Sequence, residues 1–168
     1  MDLKNKKELS GVVPIIPTPF TEKEEIDEDA LRRLIDFAIN GGVGAACLPA
    51  YASEFYKLSD EEKLQVVKIA VDHSAGRMQI VAQSNHPSLK FAIKLAQANV
   101  KAGADIISLA VPRIFSLPEN SLKEYLSEFI KSVPETPVLI QDFNPGGSSI
   151  SVEFIKNISI LWFFNYHA

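Results

Sequence analysis

Residues 79–110 read QIVAQSNHPSLKFAIKLAQANVKAGADIISLA. An apolar run at 79–82 predicts a strand. The helix after it is predicted to start near Pro87, because a first helical turn does not need the N–H that proline lacks. Ala102-Gly103 predicts where that helix stops, and DIISLA at 105–110 predicts the next strand. A strand, a helix and a strand in so short a span make one β–α–β unit.

The same unit recurs on both sides. GVVPII at 11–16 predicts a first strand, followed by a helix whose Leu31, Leu34, Ile35 and Ala38 share one face. Asn40-Gly41-Gly42 suits a left-handed helix exit. GAACL at 44–48 is a second strand, and Ser59 with Glu62 forms a capping box at the start of the helix that follows. Beyond 110, Ser121 and Glu124 predict the cap of a helix with Leu122, Tyr125, Leu126, Phe129 and Ile130 as its buried stripe. PVLIQ at 137–141 is a fifth strand, and 152–158 opens a fifth helix.

The predicted strands are nearly all apolar, as strands covered on both faces are. Regular alternation with helices implies parallel strands joined by right-handed crossovers. A doubly wound sheet and a barrel both satisfy this. The first strand leads into Pro17-Thr18-Pro19-Phe20 rather than a glycine-rich phosphate turn, which disfavours a dinucleotide fold.

Composition bounds the function. The chain has 168 residues, 17 basic and 21 acidic, for a net charge of -4. That balance leaves no clustered basic face for nucleic acid. No apolar run approaches the roughly 20 residues that span a bilayer, so no membrane role is expected. MDLKNKKELS at the N-terminus lacks a signal-peptide core. The single cysteine, Cys47, precludes an intrachain disulfide, and a reducing cytoplasm is the simplest compartment. Cys47 lies mid-strand among apolar neighbours and reads as a buried structural thiol. His73, His86 and His167 lack ligand spacing, so no metal is expected.

Several stretches, in order, resemble the dihydrodipicolinate synthase / N-acetylneuraminate lyase family. They are GVVPIIPTPF with Ile26-Asp27, the run Glu54-Phe55-Tyr56-Lys57-Leu58-Ser59 with Glu62-Lys63, Ala82-Gln83-Ser84-Asn85, Ala102-Gly103-Ala104-Asp105 with Val111-Pro112, and Asp142-Phe143-Asn144-Pro145. Each motif is weak alone; their order and spacing are specific. The resemblance implies a (β/α)8 barrel, here incomplete at about five βα units. It also implies a lyase or aldolase that forms a Schiff base between a lysine and a 2-oxo acid such as pyruvate. A protonated imine is an electron sink, so a carbanion beside it becomes accessible. The lysine must be desolvated, or lie near another cation, to be neutral and nucleophilic at working pH. No further cofactor is implied.

Where the family carries a tyrosine after its fifth strand, this chain has Asp142, the candidate catalytic residue. The family's Thr-Thr pair falls on Tyr51 and Ala52, with Ser53 in place of a glycine. A further tyrosine is replaced in the turn Arg113-Ile114-Phe115. Tyr51, Ala52, Ser53, Arg113 and Asn144 are the candidate substrate-binding residues, with Arg113 suited to a carboxylate. Thr18, Ser84 and Asn85 are expected at the same carboxyl end of the strands. Glu54 reads as a loop organiser. The replacements are polar and chemically capable, which fits a divergent subgroup handling a different 2-oxo acid, such as a sugar acid.

The family's lysine belongs to a sixth strand, and this chain is expected to end before it. Lys156 sits inside a helical pattern and reads as a surface residue. The chain by itself is therefore expected to be inactive. Residues 160–168, ILWFFNYHA, do not resemble the family's continuation and read as an atypical aromatic tail needing a partner surface. The expected organisation is a polar tail at 1–10, a partial barrel at 11–159 and that tail. The full-length parent is expected to be a homo-oligomer with a small-molecule partner. A catalytically silent partial-barrel binding protein, a sugar-acid dehydratase of the same family, and an unrelated open α/β sheet are the competing readings.

Overall fold

A computed structural model of the protein describes residues 9–111, 117–142 and 150–165. The chain divides into two compact units, one reaching Val81 and one starting at Ala82.

In the first unit, α1 (Glu28–Asn40) starts where the Asp27 carboxylate accepts the Ala30 N–H at 2.9 Å. It ends at Gly41, which is still right-handed, and the left-handed turn falls on Gly42 at φ 78°. A side chain there would be strained, so the glycine is needed for its backbone. β1 (Ala45–Leu48) is wholly buried. α2 (Asp60–Ser74) has the expected box: Glu62 N–H donates to Ser59 Oγ, and Ser59 N–H to the Glu62 carboxylate. Leu31, Ile35 and Ala38 of α1 join Val66, Ile69 and Ala70 of α2 and Ala46 and Leu48 of β1 in one core. Full burial of one leucine or isoleucine contributes about 1.5–3 kcal/mol.

The expected strand at 11–16 is reduced to a single parallel bridge, Ile15 to Cys47. Cys47 N–H donates to the Pro14 carbonyl at 2.9 Å, and Ile16 N–H to the Cys47 carbonyl at 3.1 Å. The segment lies beside β1 as expected. Pro14, and Pro49 on the facing segment, have no N–H to offer for the rungs on either side, so the ladder cannot extend.

β2 (Gln79–Gln83) spans the division: Gln79 N–H bonds the Gly44 carbonyl in the first unit, and just past the strand Ser84 N–H bonds the Ser108 carbonyl in the second. The second unit continues with α3 (Leu89–Lys101), β3 (Ile106–Ala110), α4 (Glu119–Lys131), β4 (Val138–Gln141) and α5 (Val152–Asn165). Two helix starts differ from expectation. Ser88, not Pro87, holds the cap position of α3, with its N–H bonded to His86 Nδ1 at 2.9 Å. α4 begins two residues before Ser121: Pro118 is the cap, and its carbonyl accepts the Leu122 N–H at 3.0 Å. The fixed φ of proline and its carbonyl start the ladder without a side-chain cap. Of the expected stripe of α4, Leu122, Leu126 and Phe129 are buried, and Tyr125 and Ile130 are half-buried. α5 opens with Ser151 Oγ accepting the Phe154 N–H at 3.1 Å, and runs past the expected helix to Asn165.

The sheet order is β1-β2-β3-β4, with β3 and β4 parallel. Chain order equals spatial order, which is the arc of a barrel; a doubly wound sheet would reverse at a switch point. β3 is buried throughout, whereas β4 is half-open and Leu139 is 42% exposed.

The β3–β4 register sorts the faces of the second unit. Ser108 stands opposite Leu139 and Ala110 opposite Gln141, so these four share a face. Val138 and Ile140 take the other face, where they line a pocket with Ile130 of α4 and Phe154, Ile155 and Ile158 of α5, and Asp142, past the end of the strand, edges it. That second face is therefore the helix-covered one.

Candidate functional site

In the first unit the chain leaves β1 through Pro49 and Ala50 into two short 3-10 turns, Tyr51–Ser53 and Phe55–Lys57. Glu54 joins them at φ 54°, a left-handed conformation uncommon for a residue with a side chain. Its carboxylate accepts from Lys57 Nζ at 2.8 Å, and that bond holds its pKa below the ordinary value. Glu54 thus organises the loop. Tyr51 packs edge-on to Phe55 with ring centroids 5.1 Å apart, and Ala52 is exposed beside it.

Ser53 is 3% exposed. Its hydroxyl donates to the Ile16 carbonyl at 2.5 Å and accepts the Ala50 N–H at 3.0 Å. It fastens the loop after β1 to the 14–16 segment. The Thr18 hydroxyl is buried and has no hydrogen-bond partner among the described residues. Lys63 Nζ bonds Asp60 at 2.8 Å and lies 5.9 Å from the centroid of the Phe55 ring. Burial pushes the Cys47 thiol up to about 11, which makes it inert at neutral pH.

In the second unit three polar contacts follow the strand ends. Asn99 of α3 donates to Ser84 Oγ at 3.1 Å on the helix side. The Asn85 carbonyl oxygen accepts the Ala110 N–H at 2.6 Å, tying the turn after β2 to the end of β3. Asp142 follows β4 and accepts the Ile150 N–H at 2.8 Å. It also edges the apolar pocket of about 200 Å³ between β4, α4 and α5. Arg113 and Asn144 lie outside the described residues. Tyr51–Ser53, Ser84, Asn85 and Asp142 each follow the carboxyl end of their own strand, and Thr18 follows the bridged segment at 14–16; that end is the one on which barrels build their active faces.

The sequence reading passed over a further pair. Gln83 and Gln141 close β2 and β4, and Gln83 Nε2 donates to Gln141 Oε1 at 2.7 Å. The available signal was a polar residue ending each of two otherwise apolar strands. Ser108, mid-strand in β3, is a third such polar residue.

Among the described residues no three His, Cys, Asp or Glu side chains group as a metal site, and no helix is long and apolar enough to cross a membrane.

Comparison with known proteins supplies the context. The model of the dihydrodipicolinate synthetase family matches residues 8–161. The 4-hydroxy-tetrahydrodipicolinate synthase of Chloroherpeton thalassium is 34% identical over 156 residues, covering 92% of this chain and 51% of that protein. The L-2-keto-3-deoxyarabonate dehydratase of Azospirillum brasilense is 24% identical over 152 residues, 89% of this chain and 49% of that protein. Among solved structures, YagE of E. coli K12, a prophage protein of the dihydrodipicolinic acid synthase family in complex with pyruvate, superposes with a TM-score of 0.84 at 26% identity. That match covers 89% of this chain and 51% of YagE. The chain spans about half the length of the curated relatives it matches.

Proposed function

The chain belongs to the dihydrodipicolinate synthetase family, a family of lyases and aldolases, and we propose that it carries 2-oxo-acid-binding loops of a Schiff-base lyase but not that enzyme's nucleophile. The observation that weighs most is the family match along 8–161, joined to a sheet whose strands run in chain order.

The proposed roles follow from position. Tyr51 offers a phenol, and Ala52 a backbone, to the substrate beside β1. Ser53 holds that loop in place through its two buried bonds. Asp142 is the proposed proton carrier after β4, and its bond to Ile150 fixes its carboxylate. Arg113 and Asn144 are proposed to bind the substrate carboxylate and a neighbouring oxygen. The proposal includes a cytoplasmic setting and a homo-oligomeric full-length parent.

No lysine of this chain stands on β1, β2, β3 or β4. Lys63, the buried one, is held by Asp60 on a helix. The chain alone is therefore proposed to bind a 2-oxo acid without forming an imine, which also favours a silent binding role as the second reading. A sugar-acid substrate is the alternative within the same chemistry, and the Azospirillum relative, a dehydratase of a 2-keto-3-deoxy sugar acid by name, leans that way.

Reduction with borohydride in the presence of pyruvate, followed by peptide mass mapping, tests the missing nucleophile. The expected result is no lysine adduct. A pyruvate-dependent mass gain on one lysine, Lys156 included, would overturn the proposal.

A further inference from the structure

The pair that ends β2 and β4 lies wholly in the second unit and has a defined geometry. Gln141 shares its face with Ser108, away from the apolar helix-side pocket, and Gln83 meets it there. β3 runs between their two strands, and the residue opposite Gln141 on β3 is Ala110. A methyl group at that point lets two long side chains meet across a strand.

The pair has a buried base. Gln83 is 2% exposed and Ser108 1%. Gln83 Oε1 and Ser108 Oγ are buried and have no partner among the described residues. Native proteins rarely leave buried polar atoms unpaired, and where they do a ligand or water usually answers for it. Gln141 is half-buried, and its inward oxygen is fixed by Gln83, so its amide nitrogen is left to face outward. The two carboxamides can also flip together and keep one bond between them, presenting an oxygen outward instead.

A group that offers a donor in one state and an acceptor in the other suits a hydroxyl, which both gives and takes a hydrogen bond. It suits a carboxylate poorly, because a carboxylate only accepts. No lysine or arginine lies on β2, β3 or β4 to add the charge a carboxylate would call for. We propose that Gln141, positioned by Gln83 across Ala110, receives a hydroxyl group of the ligand and selects hydroxylated 2-oxo acids over pyruvate. Gln141 is the contacting residue and Gln83 the positioning residue. This inference rests on the 2-oxo-acid reading above.

Calorimetric titration of the 168-residue chain with pyruvate, and with a 3-deoxy-2-oxo sugar acid, tests it. The hydroxylated acid should bind about 10-fold more tightly, the effect of one added hydrogen bond. Gln141→Met, of similar volume, should erase that preference, and Gln83→Met should weaken the preference in the same direction. A second measurement needs no variant: in the wild-type NMR spectrum the side-chain amide signals of Gln83 and Gln141 should move with the hydroxylated acid and stay still with pyruvate. Equal affinities for the two acids, or a preference that survives Gln141→Met, would overturn the inference while leaving the 2-oxo-acid reading intact. Failure of both acids to bind would overturn that reading, and this inference with it.

Discussion

At the scale of single residues, partners distant in sequence decided what could be read in advance. The Ser59–Glu62 box was legible because both groups lie three residues apart and the pattern is local. The bonding of Ser53 was not: its acceptor, the Ile16 carbonyl, lies 37 residues away. The glutamine pair was hidden for the same reason, with 58 residues between its members. Two outcomes follow at this scale. Ser53→Ala should destabilise the protein by about 1–3 kcal/mol, because it leaves a buried N–H and a buried carbonyl without their side-chain partner. Urea unfolding measures this, and an unchanged midpoint would contradict the fastening role. Asp142→Ala should lower stability by about 1 kcal/mol, because it removes the acceptor of the Ile150 N–H. An unchanged midpoint in urea would contradict a stabilising role for that bond.

At the scale of elements, the strands and helices were legible and their ends were less so. Apolar runs at 44–48, 79–82 and 105–110 became β1, β2 and β3 because burial on both faces demands such runs. The 11–16 run has the same composition, yet Pro14, with Pro49 opposite, limits it to one bridge. Proline also set the start of α4, where the Pro118 carbonyl rather than the Ser121–Glu124 pair begins the ladder, whereas α3 starts from Ser88 instead of Pro87. β4 departs from the other three in its exposure. It pairs with β3 alone among the described residues, and Leu139 is open. Among the described residues no strand lies on its other edge, and such an edge can pair with another chain. The expected outcome is concentration-dependent association in light scattering, reduced by Leu139→Lys, since a charge on an edge strand discourages pairing. A monomer at all concentrations would contradict this.

At the scale of the whole molecule, a buried thiol and a half-buried phenol set an alkaline limit. Burial raises the Cys47 thiol from 9.0 to about 11 and the Tyr125 hydroxyl from 10.0 to about 12. Both stay protonated in the folded state while the unfolded chain would lose its protons. The stability they contribute is complete below pH 9 and is lost as pH rises, first through 11 for Cys47 and then through 12 for Tyr125. Cys47→Ala should flatten the part of the stability curve between pH 9 and 11, and an unchanged slope there would contradict the buried thiol.

The family was legible from motif order across the molecule, since strand order and loop position repeat what the motifs predict. The chemistry was less legible, because it depends on which face each strand-end residue takes. The most direct test of the central claim, that this chain binds a 2-oxo acid at the carboxyl ends of its strands, is an amide chemical-shift titration with pyruvate. The account predicts shifts at Ser84, Asn85 and Asp142 of the second unit, each just past a strand end. Shifts gathered instead at Asp105 and Val138, at the opposite ends of its strands, or no shifts at saturating pyruvate, would contradict it.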